Sequence, residues 1–284
     1  MYDVIIIGAG PAGISASLYA KRSNLSVLVL YNGESNLEKA LKIENYYGFI
    51  NGITGRELFD SGIKQAEKLG VEVIRKEVVK ISNINGMYGV ETVDEIYEGK
   101  AIILATGNKK ILPNIKGIKE FEGKGVSFCA ICDAFFYRGK SVVVIGNGKF
   151  AVSEANELSH VANKVVVLTD GLEKPECEFN VNSKKIKELL GNNKIEKVKF
   201  EDNSEIDVDG VFIALGEAGA SNFAKTLGLL QNDDNIKVND RMETNVEGIY
   251  ACGDATGGLK QICKSVYEGA QAGISASEYA RKLI

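Results

Sequence analysis

The stretch Val4-Ile5-Ile6-Ile7 followed by Gly8-Ala9-Gly10-Pro11-Ala12-Gly13 constrains this chain more than any other. Four consecutive apolar residues that stop at glycine read as a strand buried on both faces, as in a parallel sheet. Ala12 to Ser23 then carries small and apolar residues at helical spacing, and Val27 to Leu30 is a second buried strand. Strand, glycine turn, helix and strand make a right-handed βαβ unit. The glycines fit Gly-x-Gly-x-x-Gly: the first for the tight turn, the second for approach of a pyrophosphate, the third for close helix–sheet packing. Gly8, Gly10, Pro11, Ala12 and Gly13 are therefore candidates to hold a dinucleotide on unpaired N–H groups. Glu34, about twenty residues on, is placed to accept from a ribose hydroxyl.

The pattern recurs. Ser141 to Ile145 runs into Gly146-Asn147-Gly148, a helix-like stretch follows from Ala151 to Ala162, and Val165 to Leu168 is the next strand. Two such units suggest two nucleotide-binding-type domains, or one domain duplicated and altered. The length of 284 residues suits either reading. Ala101 to Ala105, Val211 to Leu215 and Gly248 to Ala251 read as further core strands, and Ser265 to Leu283 as a helix. Gly253-Asp254, after the last of those strands, could bind cofactor hydroxyls or simply make a turn.

Composition excludes several classes. Lys+Arg number 34 against 38 Asp+Glu, a net charge of −4 that gives no reason to expect nucleic-acid binding. No apolar run is long enough to span a bilayer. Val4 to Ile7 read as a strand rather than a signal peptide, so a cytoplasmic protein is expected. The single histidine, His160, nearly excludes mechanisms built on a histidine base or several histidine ligands, and it reads as a surface helical residue.

Five cysteines are a poor disulfide framework but suit a redox or metal site. Cys129-Ala130-Ile131-Cys132 has no second pair to complete a zinc site. Two inert buried thiols are the plain alternative. Redox chemistry is favoured, because such a pair closes a small ring and lowers one thiol's pKa. Asp133 could move the proton of thiol–disulfide exchange, or serve as a turn or helix-cap carboxylate.

Together these motifs resemble the low-molecular-weight thioredoxin reductases over nearly the whole chain. The stretches that carry the likeness are VIIIGAGPAGISASLYA, KIENYYGFINGITGRELFD, ILATGNKKILP, GVSFCAICDAFFYRGKSVVVIGNG, TNVEGIYACGDA and GGLKQICKSVYEGAQAG. The resemblance implies an α/β fold of two Rossmann-like, three-layer βαβ domains. The second would be inserted into the FAD-binding domain, with 1–111 and 239–284 binding FAD and 112–238 carrying the redox disulfide. It implies that Gly8, Gly10 and Gly13 hold the FAD pyrophosphate. Asn45, Thr106 and Gly107 would contact FAD, Gly253 and Asp254 would serve the ribityl chain, and Gln261 with Ile262 would lie along the flavin ring. Cys132 would face the flavin, Cys129 would attack thioredoxin, and Asp133 would be the general acid. A homodimer is also implied, as is a swing of one domain against the other.

This chain departs from that family in the second unit. Where the family carries a His-Arg-Arg run and a further Arg for the 2′-phosphate of NADPH, this chain has Thr169-Asp170-Gly171, whose carboxylate would repel a phosphate. The stretch from Asp170 to Asp209 is shorter than usual, so the inserted domain is shortened. Lys149 and Phe150 crowd the second glycine turn, and Ser35-Asn36-Leu37-Glu38 replaces the usual Gly-Gly-Gln-Leu. The departures resemble a branch that takes electrons from ferredoxin, which delivers them singly to a flavin that can hold one or two. Lys109 to Lys140 holds seven basic residues against three acidic ones, a patch suited to an acidic ferredoxin or thioredoxin. Other readings are an NADH-driven enzyme with Asp170 as ribose acid, a flavin dithiol oxidase using oxygen, and a flavin-bound sensor.

Overall fold

The computed structural model describes residues 1–33, 35–84, 86–107, 113–128, 130–216, 219–232 and 235–283, with the side chains of residues 131, 132 and 221 excepted. The chain forms two compact units, Met1–Lys109 with Gly219–Ile284, and Lys110–Ala218.

The first unit begins with β1 (Tyr2–Ile7), α1 (Pro11–Arg22) and β2 (Val27–Tyr31), followed by α2 (Gly55–Lys68), β3 (Glu72–Arg75), β4 (Val78–Ile84), β5 (Met87–Thr92) and β6 (Ile96–Leu104). Parallel pairing runs β3-β2-β1-β6, with β1 in register with β6 from Val4↔Ala101 to Ile7↔Leu104. β5 and β4 continue antiparallel from the first half of β6. Val4, Ile5, Ile6, Ile102, Ile103 and Leu104 have no exposed surface. Each such side chain contributes about 1.5–3 kcal/mol of burial, which explains the uniformly apolar sequence of these strands.

The second unit holds β7 (Val126–Ser127), α3 (Ala130–Asp133), β8 (Ser141–Ile145), α4 (Lys149–Ser159), β9 (Lys164–Leu168) and β10 (Asn180–Asn182). It continues with β11 (Ile186–Gly191), β12 (Ile195–Phe200), β13 (Glu205–Asp207) and β14 (Gly210–Ile213). Its parallel sheet runs β10-β9-β8-β14-β7. The antiparallel meander β11-β12-β13 supplies Ile186, Leu189, Ile195, Val198 and Phe200 to a core shared with Val143, Ile145, Leu168, Val211 and Ile213. α4 packs against β8 and β9.

The chain returns to the first unit through α5 (Ala220–Thr226), the hairpin β15 (Gln231–Asn232) and β16 (Asn235–Ile236), β17 (Ile249–Ala251) and α6 (Ile262–Lys282). β17 adds to the first sheet in parallel beside β6. Residues 219–238 thus cluster with the first unit, whereas the sequence reading carried the inserted segment to 238. α5 packs on β4 and β16, and β16 packs on the turn at 253–256, which explains the earlier boundary.

α1 and α6 lie in close contact because small residues face one another. A Cβ at Gly269 would sit 2.1 Å from the Ala12 carbonyl oxygen, and one at Gly273 would sit 2.4 Å from that of Ala16. The Ser15 hydroxyl donates to the Val266 carbonyl at 2.7 Å. This contact brings the start of α1 beside the turn that precedes α6. Among the described residues no helix is long and apolar enough to cross a membrane.

Candidate active site

The turn between β1 and α1 is shaped by what glycine permits. Gly8 has φ +111°, a conformation other L residues rarely adopt, and its added Cβ would meet the Ala105 carbonyl oxygen at 2.3 Å. A Cβ on Gly13 would lie 1.8 Å from the Gly8 carbonyl oxygen, so helix and strand close up there. Gly10 differs: the nearest atom to its added Cβ is the Ser35 hydroxyl oxygen, 3.8 Å away. That face is open, as a pyrophosphate approaching the backbone requires. Pro11 opens α1, Gly10 offers no side-chain cap, and the first turn holds no acidic residue. The leading amides are therefore left for an anion. Glu34 lies outside the described residues.

The remaining expected cofactor residues of this unit are in the same neighbourhood. Thr106 and Gly107 lie just past the end of β6, after Ala105, and β6 is the strand beside β1. The Thr106 hydroxyl oxygen is buried with no hydrogen-bond partner among the described residues, a deficit that a ligand atom would remove. Asn45 and Gln261, far apart in sequence, meet through an Asn45 Nδ2–Gln261 Oε1 bond of 3.0 Å. Ile262 follows as the first residue of α6. Gly253, with φ +74°, presses on Ala12: an added Cβ would lie 2.8 Å from the Ala12 Cβ. Asp254 thus sits in a 3₁₀ turn packed against the start of α1. An open glycine face, an orphaned hydroxyl and a carboxylate turn around one helix start fit FAD.

That turn is braced by two residues the sequence reading missed. Glu268 accepts from the Gly253 N–H and the Thr256 hydroxyl, both at 2.9 Å. Lys264 donates to the Gly253 carbonyl at 2.8 Å and pairs with Glu268 at 2.9 Å. Their i, i+4 spacing was a visible signal, although the shared target was not. Cys252 beside them is fully buried; burial, reinforced by the Glu268 carboxylate, pushes its thiol far above the ordinary range. It is an inert core thiol.

In the second unit Cys129 lies outside the described residues, as does the Cys132 side chain. The backbone from Ala130 to Asp133 forms α3. It is held at both ends. The Ala130 N–H donates to Glu154 Oε2 of α4 at 2.6 Å, and the Ser127 hydroxyl donates to Asp133 Oδ2, also at 2.6 Å. Tyr137 stacks edge-on against Phe212 at 5.2 Å, and burial, with help from Asp133 and Asp209, holds its hydroxyl pKa up. Phe135 and Phe136, next in the chain, are 71% and 66% exposed. Arg138 lies over the Phe135 ring, and Lys140 lies over Tyr137 while donating to the Phe136 carbonyl. Within the expected basic patch, Lys109 and Lys110 lie outside the described residues, and Lys116 is paired with Glu188 at 3.2 Å.

The second glycine turn repeats the first: a Cβ at Gly146 would meet the Ala214 carbonyl oxygen at 2.1 Å, as at Gly8, whereas one at Gly148 would lie 3.4 Å from the Gly216 carbonyl oxygen. Phe150 is buried and Lys149 is exposed. At the end of β9, Thr169 is fully buried and its hydroxyl donates to the Leu172 carbonyl at 2.7 Å. Asp170 Oδ1 accepts from the Ile186 N–H at 2.7 Å, which ties this turn to β11.

Residues 2–273 match the family described as pyridine nucleotide-disulphide oxidoreductase. The thioredoxin reductase of Bacillus subtilis is 36% identical over 304 aligned residues, covering 100% of this chain and 96% of the relative. The chain belongs to that family, among its thioredoxin reductases. These are FAD-binding flavoproteins, in agreement with the open cradle at Gly10. A solved atypical thioredoxin reductase from Desulfovibrio vulgaris superposes with a TM-score of 0.94 at 37% identity, covering 99% of both chains. A ferredoxin-flavin thioredoxin reductase from Clostridium acetobutylicum has a TM-score of 0.74 at 35% identity, covering 99% of this chain and 98% of its own. Two α/β units, each with a core of parallel strands, make up the fold.

Proposed function

We propose that this thioredoxin reductase takes its electrons from ferredoxin, passes them through FAD to the Cys129–Cys132 disulfide, and delivers them to thioredoxin. The observation that carries the donor assignment is Asp170. It stands where a run of basic side chains would hold the 2′-phosphate, and its carboxylate is bonded to the Ile186 N–H. A carboxylate there repels phosphate. The Ile186 bond takes one of its two oxygens, Oδ1, into the backbone of β11. The likeness to the ferredoxin-flavin enzyme of Clostridium acetobutylicum supports the same reading.

FAD, when bound, supplies a carrier able to take electrons singly and give them in pairs. The protein's own residues do the rest. The amides after Gly10 hold the pyrophosphate, Thr106 and Asp254 bind hydroxyl and carbonyl groups, and Asn45 with Gln261 orients the ring edge. Reducing the disulfide consumes two electrons and two protons. Ser127 fixes one oxygen of Asp133 and leaves the other to hold or give a proton to a departing sulfur. The exposed Phe135 and Phe136 beside the motif, flanked by Arg138 and Lys140, offer an apolar and basic rim for an acidic protein partner. The active assembly in this reading is a homodimer.

Anaerobic mixing tests the donor. Reduced ferredoxin is expected to bleach the yellow protein, while NADPH and NADH leave it oxidised. Rapid bleaching by NADPH would overturn the proposal, and bleaching by NADH alone would reassign Asp170 to ribose binding.

A further inference from the structure

We propose that Lys140 is a positioning residue for thioredoxin docking, locking the turn that presents the exposed Phe135–Phe136 pair. The inference rests on the reading that this pair receives the protein partner.

Two neighbouring phenylalanines that are 71% and 66% exposed mark a contact surface. Such a surface binds well only if the partner does not first have to order it. The two rings already meet edge-on, with centroids 6.1 Å apart. Ala134–Tyr137 is a single 3₁₀ turn, too short to hold its shape alone. Its last residue anchors it. The Tyr137 ring lies on bare backbone at Gly210, where an added Cβ would come within 2.3 Å of Cε1, and it meets the Phe212 ring edge-on. Arg138 (φ −55°, ψ 123°) and Gly139 (φ +71°) then form a type II turn, closed by the Lys140 N–H donating to the Tyr137 carbonyl at 3.1 Å. This second turn is tied down in its own right. The Gly139 N–H donates to the Val161 carbonyl and the Asn163 N–H to the Lys140 carbonyl, both at 2.9 Å.

That reversal sends the Lys140 side chain back over the residues that precede it. Its ammonium lies 5.6 Å from the centre of the Tyr137 ring and donates to the Phe136 carbonyl at 2.9 Å. A lysine commonly satisfies the last carbonyls of a helical turn in this way. One side chain thus joins the backbone of a rim residue to the ring of the anchor. Arg138, 5.7 Å from the centre of the Phe135 ring, braces the other rim residue. A lysine that only supplied charge would point into solvent; this one is turned inward onto the mount, so it acts on docking through Phe136.

Two measurements test this. Chymotrypsin cuts after aromatic residues only where the backbone opens, so it reads the mount with no partner present. In Lys140→Met, cleavage after Phe135 or Phe136 of the holoenzyme, identified by fragment mass, is expected to rise about fivefold, the loss of one bond and one cation–π contact. Lys140→Arg should restore the wild-type rate. Docking is read by stopped flow, mixing enzyme reduced with dithionite, and freed of the excess, with oxidised thioredoxin. The half-saturating thioredoxin concentration of Lys140→Met should rise about three- to fivefold, more than its limiting rate falls. The rise should persist in about 0.5 M KCl, where charge steering is screened. Unchanged cleavage would overturn the inference. So would a rise in half-saturation that vanishes in salt, which would leave Lys140 as a charge on the rim. Phe136→Ala tests the underlying reading separately: an unchanged half-saturating concentration there would move thioredoxin off this rim, and the inference would fall with it.

Discussion

At the scale of single residues, the glycines of the first turn separate folding from binding. Gly13 has a carbonyl 1.8 Å from where a Cβ would go, so any side chain there breaks the turn. Gly10 has φ −68° and no atom within 3.8 Å of the added Cβ. Gly10→Ala should therefore leave the thermal midpoint of the FAD-free protein unchanged and weaken FAD by at least about tenfold, roughly 1.4 kcal/mol. Fluorescence titration of the stripped protein with FAD measures this; unaltered affinity would remove the pyrophosphate from that face. Asp133 makes a second residue-level case. Its bond from Ser127 orients it without consuming both oxygens. Asp133→Asn is expected to slow thioredoxin reduction about 10²-fold or more in stopped-flow turnover, while the flavin stays bound. A wild-type rate would return Asp133 to the role of a turn residue.

Elements show why some of this was legible in the sequence and some was not. Val4 to Ile7 of β1, Ala101 to Leu104 of β6 and Val142 to Ile145 of β8 are buried on both faces, so these stretches are unbroken apolar runs and their positions could be read directly. The meander β11-β12-β13 could not, because one face meets the core and the other meets solvent, and Ile186 to Gly191 mixes both periodicities. The first glycine turn was visible as a motif; the Glu154–Ala130 and Glu268–Gly253 bonds were not, since each joins residues that only tertiary packing brings together. The Lys264–Glu268 brace has a measurable consequence. The two side chains are 17% and 12% exposed, and Glu268→Ala removes the carboxylate opposite a largely buried ammonium and leaves the Gly253 N–H without its acceptor, while Lys264 keeps the Gly253, Thr256 and Gly257 oxygens. A loss of about 3 kcal/mol in urea unfolding is expected, together with FAD release on gel filtration. Retained FAD would show that the turn holds its shape without the brace. The joint between β1, β2 and β6 gives a pH signature. Burial raises the Asp3 pKa, but bonds from Lys100 at 2.7 Å and from Ser26 outweigh it and hold the carboxyl below its ordinary value. A depressed folded pKa stabilises above the unfolded value near 3.8 and is lost as pH falls through the folded value. Asp3→Asn should therefore cost about 2 kcal/mol at neutral pH, and the gap to wild type should close in acid. A gap that persists in acid would mean that packing, not charge, is what the substitution removes.

At the scale of the whole molecule, the two units bear unequal marks of nucleotide chemistry. The first keeps an open glycine face, an orphaned threonine hydroxyl and a braced acidic turn. The second keeps the same strand-turn-helix geometry, but the groups that would meet a phosphate are turned to internal bonds, Thr169 to Leu172 and Asp170 to Ile186. In the ferredoxin reading the second turn serves as scaffold, and its helix α4 carries Glu154, which accepts from the Ala130 N–H. Loss of a pyridine-nucleotide grip need not disturb the fold, because the sheet core of Val143, Ile145, Leu168 and Val211 makes no use of it. The most direct measurement is the yield of thioredoxin thiols, made anaerobically with catalytic amounts of the enzyme. Reduced ferredoxin as sole donor should give one reduced thioredoxin disulfide for each pair of ferredoxin electrons consumed, and NADPH as sole donor should give none. Stoichiometric thiol formation from NADPH, with ferredoxin inactive, would contradict the account.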